Sequence, residues 1–64
     1  MKVRYFKDTD TAVIELLDAP VEETMEVNEN VFLDLDAKGN VVTMTIEHAK
    51  SQANLPEFEF SENG

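Results

Sequence analysis

Apolar and polar side chains alternate along two neighbouring stretches in the middle of the chain. Residues 31–36 read Val-Phe-Leu-Asp-Leu-Asp, and residues 41–46 read Val-Val-Thr-Met-Thr-Ile. An apolar residue at every second position is typical of a β-strand with one buried face. Gly39 and Asn40, in the link between them, tolerate a positive φ and so favour a chain reversal. The pattern predicts a β-hairpin, and we expect the rest of the chain to cover one of its faces.

Three earlier stretches repeat this alternation and predict further strands. Their apolar positions are Val3 and Tyr5 in the first stretch, Ala12, Ile14 and Leu16 in the second, and Val21, Met25 and Val27 in the third. Glu23 breaks the apolar side of the third stretch, whose glutamates lower the β-propensity and favour a position at the sheet edge. We also expect Lys2 or Arg4 to pair with Glu15 across the first two strands.

Residues 47–53 contain no β-branched side chain and predict a short helix. Together with Ile46 before it, Ala49 and Ala53 follow the i, i+3 and i+7 spacing that places residues on one helix face. Thr45 is the expected N-cap, and Asn54 followed by Pro56 marks the expected end.

Together these elements predict an α+β fold, an antiparallel β-meander of four or five strands with one short C-terminal helix packed on one face. The face expected beneath the helix carries Ile14, Leu16, Leu33, Leu35, Val42, Met44 and Ile46. We expect a single domain over residues 1–55 and an acidic flexible tail over residues 56–64. Phe58 and Phe60 alternate with glutamate in that tail, which is either disordered or adds as a strand to another protein or to a second copy.

The shortness of the chain limits the core that it can build. A domain of 64 residues buries only about 60% of the surface that its unfolded chain exposes. The chain also has no cysteine for a disulfide, so oligomerisation is the expected source of added stability. Val13, Phe32 and Val41 are expected opposite the helix, on a side too apolar for water alone. We predict a homodimer in which these three residues form the self-association face.

The charge of the chain indicates which macromolecules it can bind. Five basic and fourteen acidic residues give a formal charge of −9, which repels nucleic acid and anionic membrane surfaces. A dedicated protein partner is therefore expected to be basic. The densest acidic run, Glu22, Glu23, Glu26 and Glu29, is its candidate docking site, and the alternative is a solvated face that serves solubility alone.

The short apolar runs of the chain indicate its expected cellular location. None has the length of a signal-peptide core or the roughly 20 residues of a membrane span. Because the chain also lacks cysteine, which fits a reducing compartment, we expect a cytoplasmic protein that does not bind membranes.

Two stretches superficially suggest chemistry. Asp34 and Asp36 precede a glycine as in a calcium loop, but a lysine and a threonine occupy the fifth and twelfth positions, which require an oxygen ligand and a bidentate glutamate. His48 and Ser51 lie one helical turn apart, yet no glycine-rich loop or nucleophile elbow is present to build an oxyanion site. We therefore expect no metal, no cofactor and no catalytic residue, and we predict that the protein is not an enzyme.

A set of short motifs extends along most of the chain. The motifs are Tyr5 with Asp10, Ala-Val-Ile-Glu-Leu at 12–16, Val27 leading to Leu-Asp-Leu-Asp at 33–36, Gly-Asn-Val-Val at 39–42, and Ile46 with Ala49. Over roughly residues 1–53 the chain thereby resembles the small prokaryotic proteins of domain-of-unknown-function family 2283, and it departs from them at Phe6 and Thr43. The resemblance implies an antiparallel meander with a terminal helix and no established activity. It also implies that some members are partners encoded beside small toxin-like proteins.

From these features we predict a non-enzymatic protein-interaction module. A more specific version of this prediction is an antitoxin-like partner of a small basic toxin. The alternative is a stand-alone structural homodimer with no dedicated partner. A small basic protein encoded alongside would favour the first.

Overall fold

The computed structural model describes residues 1–53, which form five antiparallel strands and one short helix. The elements are β1 (Lys2–Phe6), β2 (Thr11–Glu15), β3 (Glu23–Asn28), β4 (Val31–Leu35), β5 (Val41–Glu47) and α1 (Ala49–Ala53). The predicted fold class, an α+β meander with a short C-terminal helix, is confirmed. The predicted tail over residues 56–64, with Phe58 and Phe60, lies outside the described residues, as do Asn54 and Pro56.

The five strands form one sheet in the order β1-β2-β5-β4-β3. Three ladders join strands that follow one another along the chain, as in a meander, whereas the fourth pairs β2 with β5. The order departs from the chain sequence there because the connection after β2 passes the ends of β5 and β4. Leu16 N–H donates to the Val42 carbonyl at 2.9 Å, and Glu22 N–H donates to the Leu35 carbonyl at 2.7 Å. As a result β3 lies at an edge of the sheet, as its glutamates predict.

Two bulges interrupt the alternation of side chains. The register shifts between Glu26 and Asn28 on β3, and again where Leu35 pairs with Val41 on β5. An extra residue in one strand disrupts the ladder locally and re-aims the side chains beside it. Strict alternation from Thr43 would place Val41 on the same face of the sheet as Phe32, but at the bulge Val41 pairs with Leu35 instead.

The registers divide the sheet into two faces, because residues paired across strands project to the same side. The inner face carries two full rows: Tyr5, Ala12, Ile46, Val31 and Asn28 in one, and Val3, Ile14, Met44, Leu33 and Met25 in the other. The outer face carries Arg4, Val13, Thr45, Phe32 and Glu26 in one row, and Lys2, Glu15, Thr43, Asp34 and Thr24 in the other. The inner face is therefore apolar and the outer face is mixed.

The helix covers only one end of the inner face. Ala49 is fully buried with Ala12, and Tyr5 and Ile46 pack against this pair. Val42 is the one other buried residue among residues 1–51, and none of the large side chains there is fully buried. Most of the predicted core residues therefore share the predicted face without being enclosed.

The start of the helix differs from the prediction. Glu47 pairs with Thr11 as the last residue of β5, so the strand continues past the expected N-cap, Thr45. His48 then has a φ of 56°, in the left-handed region that ends regular strand geometry. The predictions of a helix from Glu47 and of Thr45 as its cap are wrong because the ladder to β2 holds these residues in the sheet.

The turn between β4 and β5 is organised by one carboxylate. Asp36 accepts hydrogen bonds from the backbone N–H groups of Lys38 at 2.9 Å and Asn40 at 2.8 Å, and from the Asn40 side-chain amide at 3.2 Å. The Asn40 backbone N–H is the main cause that lowers the pKa of Asp36 below its usual range. Gly39 has a φ of +83°, so the prediction of a positive φ in this turn is confirmed at glycine.

We expect Gly39→Ala to lower the free energy of unfolding by about 1–2 kcal/mol, the cost of a left-handed conformation for a residue with a Cβ. The added methyl group would meet nothing within 4 Å, so the cost comes from the backbone alone. Urea denaturation measures it, with Lys38→Ala as the control because that substitution keeps the N–H bond to Asp36. Equal midpoints for the two variants would contradict the prediction.

Candidate functional site

The inner face carries a row of five apolar side chains, one from each strand. In sheet order they are Val3, Ile14, Met44, Leu33 and Met25. At the two edges of the sheet Val3 is 41% exposed and Met25 is 46% exposed, while the three central residues are half-buried. We call these five residues the apolar row. It lies beside the row that the helix covers, and the other described residues leave it open.

The dimensions of the fold agree with a single open layer. The described fold measures 32 × 32 × 18 Å and has a radius of gyration of 12.2 Å, against about 10–11 Å for a compact domain of this size. Domains normally bury the apolar face of a sheet against a second layer. Within residues 1–53 the second layer is one helix of five residues, Ala49–Ala53, so the apolar row is a candidate binding surface.

The predicted self-association face lies on the outer side of the sheet. Val13 and Phe32 both pair with Thr45 in one row and are half-buried. Arg4 and Glu26 end that row, whereas Val41 pairs with Leu35 at the bulge. The outer side therefore has less apolar surface than the alternation suggested, and its role in self-association stays a prediction.

Two polar contacts also lie on the outer side. The Arg4 guanidinium Nε lies 2.8 Å from a Glu15 carboxylate oxygen, which confirms the predicted pairing across the first two strands. The Thr24 hydroxyl donates to the Asp34 carboxylate at 2.7 Å. Both contacts are exposed to solvent and so contribute little to stability.

The four glutamates of the predicted docking site lie along the β3 edge and its flanks. Glu22, Glu23, Glu26 and Glu29 are all exposed. Glu23 pairs with Leu35 and Glu26 pairs with Phe32, so the strand directs these two carboxylates to opposite faces of the sheet. Within residues 1–53 the one ion pair is Arg4 with Glu15, and none of the four glutamates takes part in it.

A hydrogen-bonded cluster attaches the helix to the turn between β1 and β2. Asp10 has a φ of 53°, and its backbone carbonyl accepts from Ala49 N–H at 2.9 Å. Its carboxylate accepts from the Tyr5 hydroxyl at 2.7 Å and from Lys50 N–H at 3.2 Å. Asp10 thereby satisfies the first N–H groups of the helix, the role expected of Thr45.

The cluster changes the acidity of both side chains. The hydrogen bond from Tyr5 is the main cause that lowers the pKa of Asp10, and the same bond raises the pKa of Tyr5. Asp10 is hydrogen-bonded to the start of the helix, and Tyr5 is hydrogen-bonded to Asp10. The cluster therefore serves to position α1. The family motif drew attention to both residues, but only the fold brings Asp10 to the helix.

His48 does not meet Ser51 through its side chain as the helical spacing suggested. It lies one residue before the helix, and its Nδ1 is 2.9 Å from the side-chain oxygen of Asn30. The Asn30 carbonyl also accepts from Glu47 N–H at 2.7 Å, so Asn30 links the β3–β4 turn to the end of β5. The sequence did not indicate a role for Asn30, because no local pattern relates it to Glu47 and His48, which lie 17 and 18 positions later in the chain.

The calcium-like stretch is engaged in other contacts. Asp36 is held by its own turn and Asp34 by Thr24. Among the described residues, no group of three or more His, Cys, Asp and Glu side chains is arranged to hold a metal ion.

No helix within residues 1–53 has the length and apolar composition needed to cross a membrane.

Comparison with known proteins places the chain in a family. The model of a family described as "Protein of unknown function (DUF2283)" matches residues 2–50, a span that holds all five strands and the start of the helix. The resemblance noted from the motifs is therefore confirmed. No curated protein and no solved structure matches the chain.

We expect Tyr5→Phe to destabilise the fold between about pH 4 and pH 10 and to have less effect outside that range. The lowered pKa of Asp10 means that its contribution is present above the ordinary value of 3.8 and is lost as the pH falls. The raised pKa of Tyr5 means that its contribution is present below the ordinary value of 10.0 and is lost as the pH rises. Denaturation midpoints over a pH series test both limits.

The absorbance of tyrosinate gives a direct control, because Tyr5 is the sole tyrosine of the chain. Its pKa should lie above 10.0 in the native protein and move back towards that value in Asp10→Asn. A native pKa at or below 10.0 would contradict the assigned hydrogen bond.

Proposed function

The chain belongs to the DUF2283 family of proteins of unknown function, and we propose that it is a non-enzymatic protein-interaction module whose inner face is completed by another protein surface. The apolar row carries this proposal. It crosses the whole sheet from Val3 on one edge to Met25 on the other, and the helix lies beside it rather than over it. Contiguous apolar surface of this kind is characteristic of protein-binding sites.

Closing the inner face would contribute to stability as well as to recognition. Complete burial of an apolar side chain that is already half-buried adds on the order of 1 kcal/mol. Leu16 lies next to the row and is 44% exposed, so the gain extends beyond the five residues. A module with so few buried side chains gains a larger share of its stability from binding than a domain with a complete core.

The polar groups of the described residues support a binding role over a chemical one. The Asp10 carboxylate positions the helix, the Asp36 carboxylate organises a turn, and His48 bonds Asn30. Each of these groups is engaged within the fold, as expected of side chains that hold a scaffold.

Photo-cross-linking at two neighbouring residues of β3 tests the proposal. Met25 and Thr24 are both exposed and face opposite sides of the sheet. A benzophenone amino acid at position 25, in cells that produce the protein, should give a covalent adduct with a protein, and the same group at position 24 should give much less. Folded protein that yields no protein adduct from position 25 would contradict the proposal.

A second candidate, an antitoxin-like partner of a small basic protein, is favoured by the β3 edge. Glu22, Glu23, Glu26 and Glu29 lie in or beside β3, which has a neighbour on one side only within residues 1–53. An open edge offers backbone hydrogen-bonding groups to an extended segment, and the carboxylates would select a basic one. Complementary charge of this kind mainly speeds the encounter.

If a small basic protein is encoded beside this one, their association should be fast at low salt and slow markedly at physiological salt. The Debye length falls from about 30 Å at 0.01 M to about 8 Å at 0.15 M. Changing the four glutamates to glutamine should reduce the association rate at low salt and leave dissociation much less affected. Stopped-flow kinetics over a salt series measures both rates.

A variant with Asp8, Glu15, Asp18 and Glu47 neutralised controls for net charge, since it loses the same four negative charges at residues outside β3. Equal association rates for this variant and the quadruple variant would limit the role of the β3 glutamates to solubility. An acidic partner would also contradict the docking model.

A further inference from the structure

We propose that the surface completing the inner face is a second copy of this chain, packed face to face so that two single-layer sheets form one sandwich. This inference rests on the proposed function and names its partner. It differs from the homodimer expected from the sequence, which would use the outer face. The two sheets would lie about 10 Å apart, as in other sandwiches, with the apolar rows between them.

The distribution of charge favours a second copy. The chain carries a net charge of −9, so two copies repel each other wherever carboxylates meet. In the strand pairings, Glu23 is the one carboxylate assigned to the inner face, where it pairs with Leu35 at the sheet edge. The outer face, the turns and the β3 edge hold the other acidic residues of the described part. The inner face is therefore the surface on which two copies can meet with only Glu23, at the exposed sheet edge, near the contact.

The same distribution disfavours a strongly charged partner on this face. A basic protein would find its complementary carboxylates at the β3 edge, not within the apolar row. Burial of its cations against the row would be unfavourable, because no carboxylate would offset their desolvation. The inner face and the β3 edge thus suit two different partners and can be occupied together.

The size of the face is sufficient for a stable contact. Each broad side of the fold measures 32 × 32 Å. Its area exceeds the roughly 800 Å² that each partner buries in a standard interface. A two-fold dimer uses the same patch on both copies, so the patch must complement itself. Medium-sized aliphatic and thioether side chains without charge meet that requirement.

The geometry also identifies the centre of the contact. β5 is the third of five strands, and Met44 is the middle residue of β5. A two-fold axis through the centre of the face would therefore place Met44 of one copy near Met44 of the other. Thr45, the next residue, projects from the outer face and would remain accessible in the dimer.

Two matched substitutions on β1 provide the test. Val3 is 41% exposed on the inner face, and Phe6 is 48% exposed on the outer face. Because both side chains are already exposed in one chain, an aspartate at either position is compatible with the folded monomer. We expect the full-length wild type to have the mass of a dimer by light scattering. Val3→Asp should raise the dimer dissociation constant at least about tenfold, since each copy would bury a carboxylate, and Phe6→Asp should not.

A cysteine pair gives an independent measurement that does not require a destabilised variant. The natural chain has no cysteine, so Met44→Cys and Thr45→Cys each introduce a single thiol. Labelling of Met44→Cys by a maleimide should slow as the protein concentration rises through the dissociation constant. Labelling of Thr45→Cys should be independent of concentration.

The outcomes separate this inference from the proposed function. A monomeric wild type, or a dimer that Phe32→Asp or Phe6→Asp disrupts while Val3→Asp does not, would overturn the second copy as the occupant of the inner face. A protein adduct from position 25 would then still support the interaction module, with a different chain on that face. A dimer disrupted by Val3→Asp alone, together with concentration-dependent protection of Met44→Cys, would establish the sandwich.

Discussion

The structure depends on one constraint, a five-stranded sheet whose apolar face is covered only in part by the described residues. In most domains the second layer comes from the same chain. Here the second layer in the described residues is α1 (Ala49–Ala53), which buries Ala12 and packs beside Tyr5 and Ile46. The remaining apolar row is left to be covered by something outside residues 1–53, and the proposals follow from that incomplete burial.

The position of the helix decides which part of the face stays open. Asp10 binds the first two N–H groups of α1 and also accepts from Tyr5, while Asn30 bonds both Glu47 and His48 from the other side. Asp10 and His48 both have left-handed backbone conformations, which aspartate and histidine tolerate better than most residues. These contacts fix the helix at one end of the strands and leave the centre of the sheet accessible.

Charge and apolar surface are separated in this molecule. The carboxylates lie along β3, in the turns and on the outer face, where water can solvate them or a basic partner can form ion pairs with them. The apolar row contains no charged residue. The separation permits a strongly acidic protein to associate with itself, because its like charges stay apart when the inner faces meet.

The sequence by itself determined the local elements. Alternation set the five strands and the side chains of their shared apolar face, Gly39 marked the turn between β4 and β5, and the glutamates of β3 indicated an edge. These features depend on neighbouring residues, so a one-dimensional pattern contains them. The short motifs also indicated the family, because they are themselves local.

Only the tertiary structure decided how these elements meet. The sequence did not show that β2 would pair with β5, that bulges would move Val41 away from Phe32, or that Asp10 would replace Thr45 at the start of the helix. The sequence also predicts a self-association face on the outer side, and alternation alone reveals which residues share a face but not how far the described residues cover it. Burial depends on contacts between residues far apart in the chain, and for that reason the open inner face became visible only in the folded sheet.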